Sequence, residues 1–212
     1  MNWRSKRVIA VGVSVVAAGA IVGVAAAGEN GPPDLSSPSP SGIASSIPSE
    51  LSSAFAILRR AAQPSDALSA AAASGVQTAG GLSQHYGINP SLARLAGSPD
   101  GTAVWLIPGS TGSCIALDKG GGSCGPNALV SQQGLLLAIV PTSGALPTVY
   151  GVAPDNATVT AKDATGAEKS IPLSGHAFSL NGATAVSFTI HTPSGAMTHA
   201  LPSGSPPPTP NG

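Results

Sequence analysis

Between Thr102 and Leu201 the apolar runs are short and bounded by Gly and Pro residues. "AVWLIPG", "SCIALDK", "LLLAIVP" and "TVYGVAP" are the clearest cases. Such runs cannot sustain the three- and four-residue spacing by which a helix buries one face. Each is long enough for a strand of about five residues. Further on the strand period is explicit. In "ATVTAKD" Ala157, Val159 and Ala161 fall on one face and Thr158, Thr160 and Lys162 on the other. "AEKSIPLS" follows a turn at Gly166, and "HAFSL" ends at Asn181-Gly182, a strong hairpin signal. Val186, Phe188 and Ile190 share a face before Pro193-Ser194-Gly195 turns the chain back. About seven or eight antiparallel strands at this spacing predict a small β-sandwich or curled sheet, with "LLLAIV" as its central strand, buried on both faces.

Upstream the period is helical. In "SELSSAFAILRRAAQP" Leu51, Phe55, Leu58 and Ala62 fall on one face. Ser49 is placed to cap the start, Glu50 and Arg59-Arg60 suit the two ends of the helix dipole, and Pro64 stops the helix. Ser65-Asp66 can cap a second helix running to Ser74 and ended by Gly75. "INPSLARLAG" signals a third, with Asn89 as cap, Pro90 in the first turn and Gly97 past the end. The predicted class is therefore mainly β (α+β), with residues 49–101 forming two or three short helices ahead of a β-rich domain, residues 102–201. Residues 28–48 read as a Pro/Ser-rich linker, and residues 202–212 as a disordered Pro-rich tail.

Residues 1–27 bear on where the chain resides. Arg4, Lys6 and Arg7 precede Val8–Ala27, a run without charge. As a helix that run spans about 30 Å, the thickness of a bilayer's hydrocarbon core. The basic flank predicts a single-pass membrane anchor with the N-terminus inside and the domain outside. Ala25-Ala26-Ala27 also fits the small-residue rule for signal cleavage, so secretion after a cut following Ala27 is the alternative. Nine basic residues balance nine acidic ones and only 8% of residues are charged, which leaves no basic stripe for phosphates and makes nucleic acid an unexpected partner.

The sharpest chemical question lies in "SCIALDKGGGSCG". Its last five residues, Gly121–Gly125, match the G-x-S-x-G pattern of a serine-hydrolase nucleophile, and it holds both cysteines, Cys114 and Cys124. A nucleophile elbow needs a buried strand running into the serine and a helix directly after it. Here Ser123 follows Lys119-Gly120-Gly121-Gly122, Pro126 comes soon after, and no helical pattern is read beyond it. Two cysteines in an exported chain read instead as a disulfide, with two free thiols as the remaining alternative. His85, His176, His191 and His199 lack metal-ligand spacing, and the hairpin register expected for the last two places His191 opposite Ala196 and His199 opposite Phe188, on opposed faces. Asp118, Asp155, Asp163 and Glu168 all sit beside turns, and Asn156 is expected in one.

"FAILRR" followed by "SDAL", then "INPSLARLA", "VWLIPG" before a Cys, and "VYGVAPD" before an alternating strand resemble a group of exported proteins of high-GC Gram-positive bacteria. The resemblance covers roughly Glu50 to His191. It implies an exported, membrane-tethered domain and carries over no functional residue. The function expected is that of a non-catalytic extracytoplasmic domain acting in binding or envelope structure, without metal or cofactor, whose partner is an envelope protein or an extended peptide. Tyr86, Trp105 and Tyr150 are too few for a sugar-stacking platform. Two rivals stand beside it. One is an exported hydrolase built from Ser123 or another serine, a histidine, and Asp155 or Asp163. The other is an assembly protein working through its anchor and Pro-rich tail.

Overall fold

The computed structural model describes residues 42, 44–77, 81–139 and 147–201. These belong to the unit Pro33–Gly212. The expected membrane helix at 8–27, most of the linker and the tail at 202–212 lie outside the described residues. Among the described residues no helix is long and apolar enough to cross a membrane.

The described residues form three antiparallel sheets and a few short helices. The first contains β1 (Arg94–Gly97), β2 (Val104–Pro108), β3 (Gly112–Leu117) and β4 (Gly122–Pro126), in that order. The second has β6 (Thr148–Val152) between β5 (Leu135–Ile139) and β9 (Ala177–Asn181). The third runs β11 (Gly195–Ala200), β10 (Ser187–Thr192), β7 (Thr158–Lys162) and β8 (Glu168–Ile171). Apolar alternation decides how they stack. Leu106 and Ile115 of the first sheet and Tyr150 and Val152 of the second share one core, together with Leu51, Phe55 and Leu58. Val149, Phe178 and Leu180 face the other way and meet Val159, Ala161, Phe188 and Ile190 of the third sheet. Ile107, Cys114 and Ala116 point to the far side of the first sheet, under Ala72 and Val76. The predicted mainly β, sandwich-like class is what forms, with two sheet-to-sheet interfaces.

The strand read as central is an edge. Among the described residues β5 pairs only with β6, and its Leu135, Leu136 and Leu137 are half-buried. Leu135 and Leu137 pack toward the first core and Leu136 toward the second. Sheets stacked on both faces make a run apolar throughout; they do not place it in the middle. Asn181-Gly182 does turn the chain, with Asn181 Oδ1 accepting from the Ala183 N–H at 2.9 Å. It joins no hairpin, because β9 pairs with β6 and β10 with β7 and β11. The turn passes the chain from one sheet to the next.

The helices are shorter than expected. α1 spans Ser49–Ala54, with Pro48 rather than Ser49 at its cap. Asp155 ends it early: its N–H donates to the Ala54 carbonyl at 2.8 Å and its Oδ1 accepts from the Ala56 N–H at 2.9 Å, taking groups that a continuing helix would pair. Leu51, Phe55 and Leu58 still bury one face, while Ala62 is exposed. α2 (Ala70–Gln77) is capped by Ser69, and Gly75 lies inside it. A Cβ there would stand 2.5 Å from the Gly121 carbonyl oxygen, so the glycine serves close approach to the β3–β4 loop. α3 (Leu82–His85) is a single turn. The third expected helix is one 3-10 turn, Pro90–Leu92, capped by Asn89. Pairing with β2, Leu95 opposite Trp105, draws the following residues into β1. α4 (Asn127–Gln133) answers no prediction, although Pro126 before it and Gly134 after it are ordinary helix boundary signals.

Candidate functional site

Cys114 and Cys124 are bonded, with Cα atoms 4.0 Å apart. They are directly opposed residues of β3 and β4. The staple therefore crosses a strand pair and does not close the glycine loop from its flanks. The spacing is that of the narrow pair of an antiparallel ladder, shorter than the usual disulfide Cα separation. Ser123 sits inside β4, opposite Ile115. A helix does follow β4, contrary to the sequence reading, but Ser123 is not at the strand-to-helix turn and does not have the positive φ of a strained elbow.

The structure brings one expected acid–base pair together. His176 Nε2 lies 3.6 Å from Asp155 Oδ1, and its Nδ1 is 3.2 Å from the Ala153 carbonyl. Both ring nitrogens face protein acceptors, and Asp155 is further held by Arg59 Nη2 at 3.0 Å. Arg59 also donates to the Ser52 carbonyl at 2.6 Å, so this cluster locks α1 to the loop after β6. Asp163 accepts from the Thr165 and Ala167 N–H groups in the β7–β8 turn; its Thr165 hydroxyl bond comes first among the interactions that lower its pKa. Asn156 takes φ 59 in an exposed turn. Glu168 is exposed on β8, and His85 packs edge-on against Tyr86. Asp118 Oδ1 is buried without a hydrogen-bond partner. Among the described residues no group of three acids, histidines or cysteines is placed to hold a metal.

Two polar clusters escaped the sequence reading. Asp66, 5% exposed, accepts two bonds of 2.6 Å from Arg60 and one of 2.8 Å each from the Gln63 and Leu95 N–H groups. Burial pushes its carboxyl up, but the bonds from Arg60 and the two backbone donors outweigh burial and hold its pKa at about 2. Arg94 Nε stands 3.9 Å away. The second cluster links Lys119 Nζ to Thr102 Oγ1 at 2.6 Å, and Tyr150 OH to Asp100 Oδ2 at 3.1 Å. Thr102 is fully buried. Both clusters brace strands; neither presents an aimed nucleophile.

What the fold does present is an edge. The expected hairpin register is the one observed, with His191 opposite Ala196, Phe188 opposite His199 and Thr192 opposite Gly195. His191 Nε2 meets Thr160 Oγ1 at 3.2 Å on the outer face. His199 lies on the inner face, stacked on Phe188 with ring centroids 5.0 Å apart, and its buried Nε2 has no hydrogen-bond partner among the described residues. Burial lowers its pKa. The Leu201 N–H donates to the Val186 carbonyl at 2.9 Å. Counting back along the alternating ladder, Met197 and His199 bond β10, while the backbone groups of Ala196, Thr198 and Ala200 point to the open side. Among the described residues no strand pairs with that side. The opposite edge of the same sheet, β8, carries exposed Glu168 and Lys169 and runs into Pro172, devices that discourage strand addition. β11 has no acidic, Lys, Arg or Pro residue. β1, in the first sheet, is closed by other means: Leu95 N–H donates to Asp66 and the Ala96 carbonyl accepts from His176 N–H. Beside the β10–β11 turn, Gln132 and Gln133 of α4 face Thr192 and Met197 across a groove of about 100 Å³.

Comparison with family models, with curated proteins and with solved structures finds no match to this chain. The fold and its edge together describe a disulfide-stapled antiparallel β protein in which, among the described residues, β11 pairs on one side only.

Proposed function

We propose that this protein is a non-catalytic binding domain, held outside the cell membrane by residues 8–27, which takes up an extended segment of an envelope protein along β11. The observation that carries the reading is the contrast between the edges of the third sheet: β8 is charged and followed by Pro172, whereas β11 is uncharged and offers its alternate backbone groups to a partner. The basic flank before Val8–Ala27 supports the tether, and the disulfide fits an oxidising compartment. The hydrogen bond of His176 Nδ1 with the Ala153 carbonyl, with Nε2 turned toward Asp155, and the mid-strand position of Ser123 weigh against a hydrolase.

Backbone direction supplies the test. The Ala196 N–H points to the open side, so Ala196→Pro removes a docking donor without removing a β10–β11 bond, whereas Met197→Pro breaks the ladder. With the full chain in its native membranes, the Thr198 and Ala200 amides are expected to be protected from hydrogen exchange. Ala196→Pro is expected to abolish that protection and leave melting unchanged. Exchange at free-edge rates in the unaltered protein would sink the proposal.

A further inference from the structure

We infer that the strand added to β11 is the β11 of a second copy of this chain, in an antiparallel two-fold register centred on Thr198. The inference rests on the reading of β11 as a docking edge. A two-fold pair sets each residue against a fixed partner, so an edge can pair with itself only if its own residues are compatible. With Thr198 on the axis, Ala196 falls opposite Ala200 of the second copy and Met197 opposite His199.

Each of these pairings is supported by what the strand carries. Ala196, Thr198 and Ala200 are the residues whose backbone groups face the open side, so they supply the bonded positions of the new ladder. Their side chains are exposed and small. Thr198 already meets Thr189 through their hydroxyls at 2.8 Å, and the second copy continues that row as Thr189–Thr198–Thr198–Thr189. On the inner face the half-buried His199 ring comes opposite Met197, whose thioether packs well against aromatic rings. No like charges are brought together, since β11 has no acid, Lys or Arg. Pro202 lacks an N–H and would fall opposite Ser194, so the ladder stops just past Ala200. The chain's own C-terminal segment is a poor rival occupant. "LPSGSPPPTPNG" has Pro at positions 202, 206, 207, 208 and 210, and a strand so poor in donors cannot pair along β11.

Thr198→Cys tests the register in the full-length protein in its native membranes. Because Cys114 and Cys124 are bonded to each other, the new thiol is the only free one. On mild oxidation Thr198→Cys is expected to form roughly tenfold more cross-linked dimer than Ala196→Cys, since only the axial residue meets itself within the ~4.4–6.8 Å Cα separation that a disulfide accepts. Mixed Ala196→Cys and Ala200→Cys chains are expected to link to each other. Adding Ala196→Pro to Thr198→Cys is expected to abolish the link. Equal linking by Thr198→Cys and Ala196→Cys, or no link by any variant, overturns the two-fold register. Amide exchange in the same membranes separates the two levels. Protected Thr198 and Ala200 amides without a link mean that another polypeptide occupies β11. Unprotected amides mean that β11 is no docking edge at all.

Discussion

The first and third sheets are both four-stranded and antiparallel, yet they are held in opposite ways. In the first, successive residues of β2 point into different cores, Leu106 to one and Ile107 to another, and both are fully buried. A disulfide crosses β3 and β4, and the β1 edge is occupied by Asp66 and His176. In the third sheet Ile190 is buried while its neighbour Thr189 lies on a polar outer face, and among the described residues no strand pairs with the open side of β11. Burial on both faces leaves a strand no surface with which to meet a partner. The doubly covered scaffold and the edge proposed for docking are thus held in different sheets.

The sharpest way to break this contrast is at Asp66. Asp66→Ala leaves Arg94 buried beside no carboxylate and strips an acceptor from the β1 edge; it is expected to cost about 3–5 kcal/mol in chemical denaturation. A cost near zero would show that the first sheet does not depend on its closed edge. Next come alternate-residue pairs. Leu106→Ala and Ile107→Ala are each expected to cost about 2–5 kcal/mol, because both faces of β2 are covered. Ile190→Ala should cost as much, but Thr189→Ala only within about 0.5 kcal/mol. Equal costs at Ile190 and Thr189 would mean that the third sheet is covered on both faces after all. Replacing both cysteines with Ser is expected to lower stability by about 2–3 kcal/mol, with hydrogen exchange rising first in β3 and β4.

The smallest effect separates the sheets by pH. His199 has its pKa below 6.5 in the folded chain because burial disfavours the charged ring. The unfolded chain therefore binds the proton more readily. His199 leaves stability unchanged above pH 6.5 and lowers it as pH falls from there toward the folded-state value. Asp66, held at about 2 against an ordinary 3.8, contributes stability that is present above 3.8 and lost as pH falls through about 2. Amide protection, as exchange relative to the intrinsic rate at each pH, should therefore be lost first in β10 and β11 and only in strong acid around β1. The reverse order would contradict the assignment of the weak region.

Much of this was legible in the residues. Alternation placed Ala157, Val159 and Ala161 on one face, and all three are buried. Turn chemistry and parity placed the β10–β11 register, including the opposed faces of His191 and His199. The spacing of Leu51, Phe55 and Leu58 marked a buried face even though the helix breaks inside it. These are local properties, set by how a side chain projects from its own backbone. Which strand lies at an edge is not local. β5 is the most continuously apolar run and lies outermost, β1 sits where helix signals stood, and Asn181-Gly182 links two sheets because each strand found its partners elsewhere. Nor could spacing reveal that Asp66 would close one edge from 29 residues away while no described strand pairs with the outer side of β11. Hydrogen bonds across a sheet join residues distant in sequence, so the pattern along one strand determines its faces, and only the assembled sheet determines its neighbours.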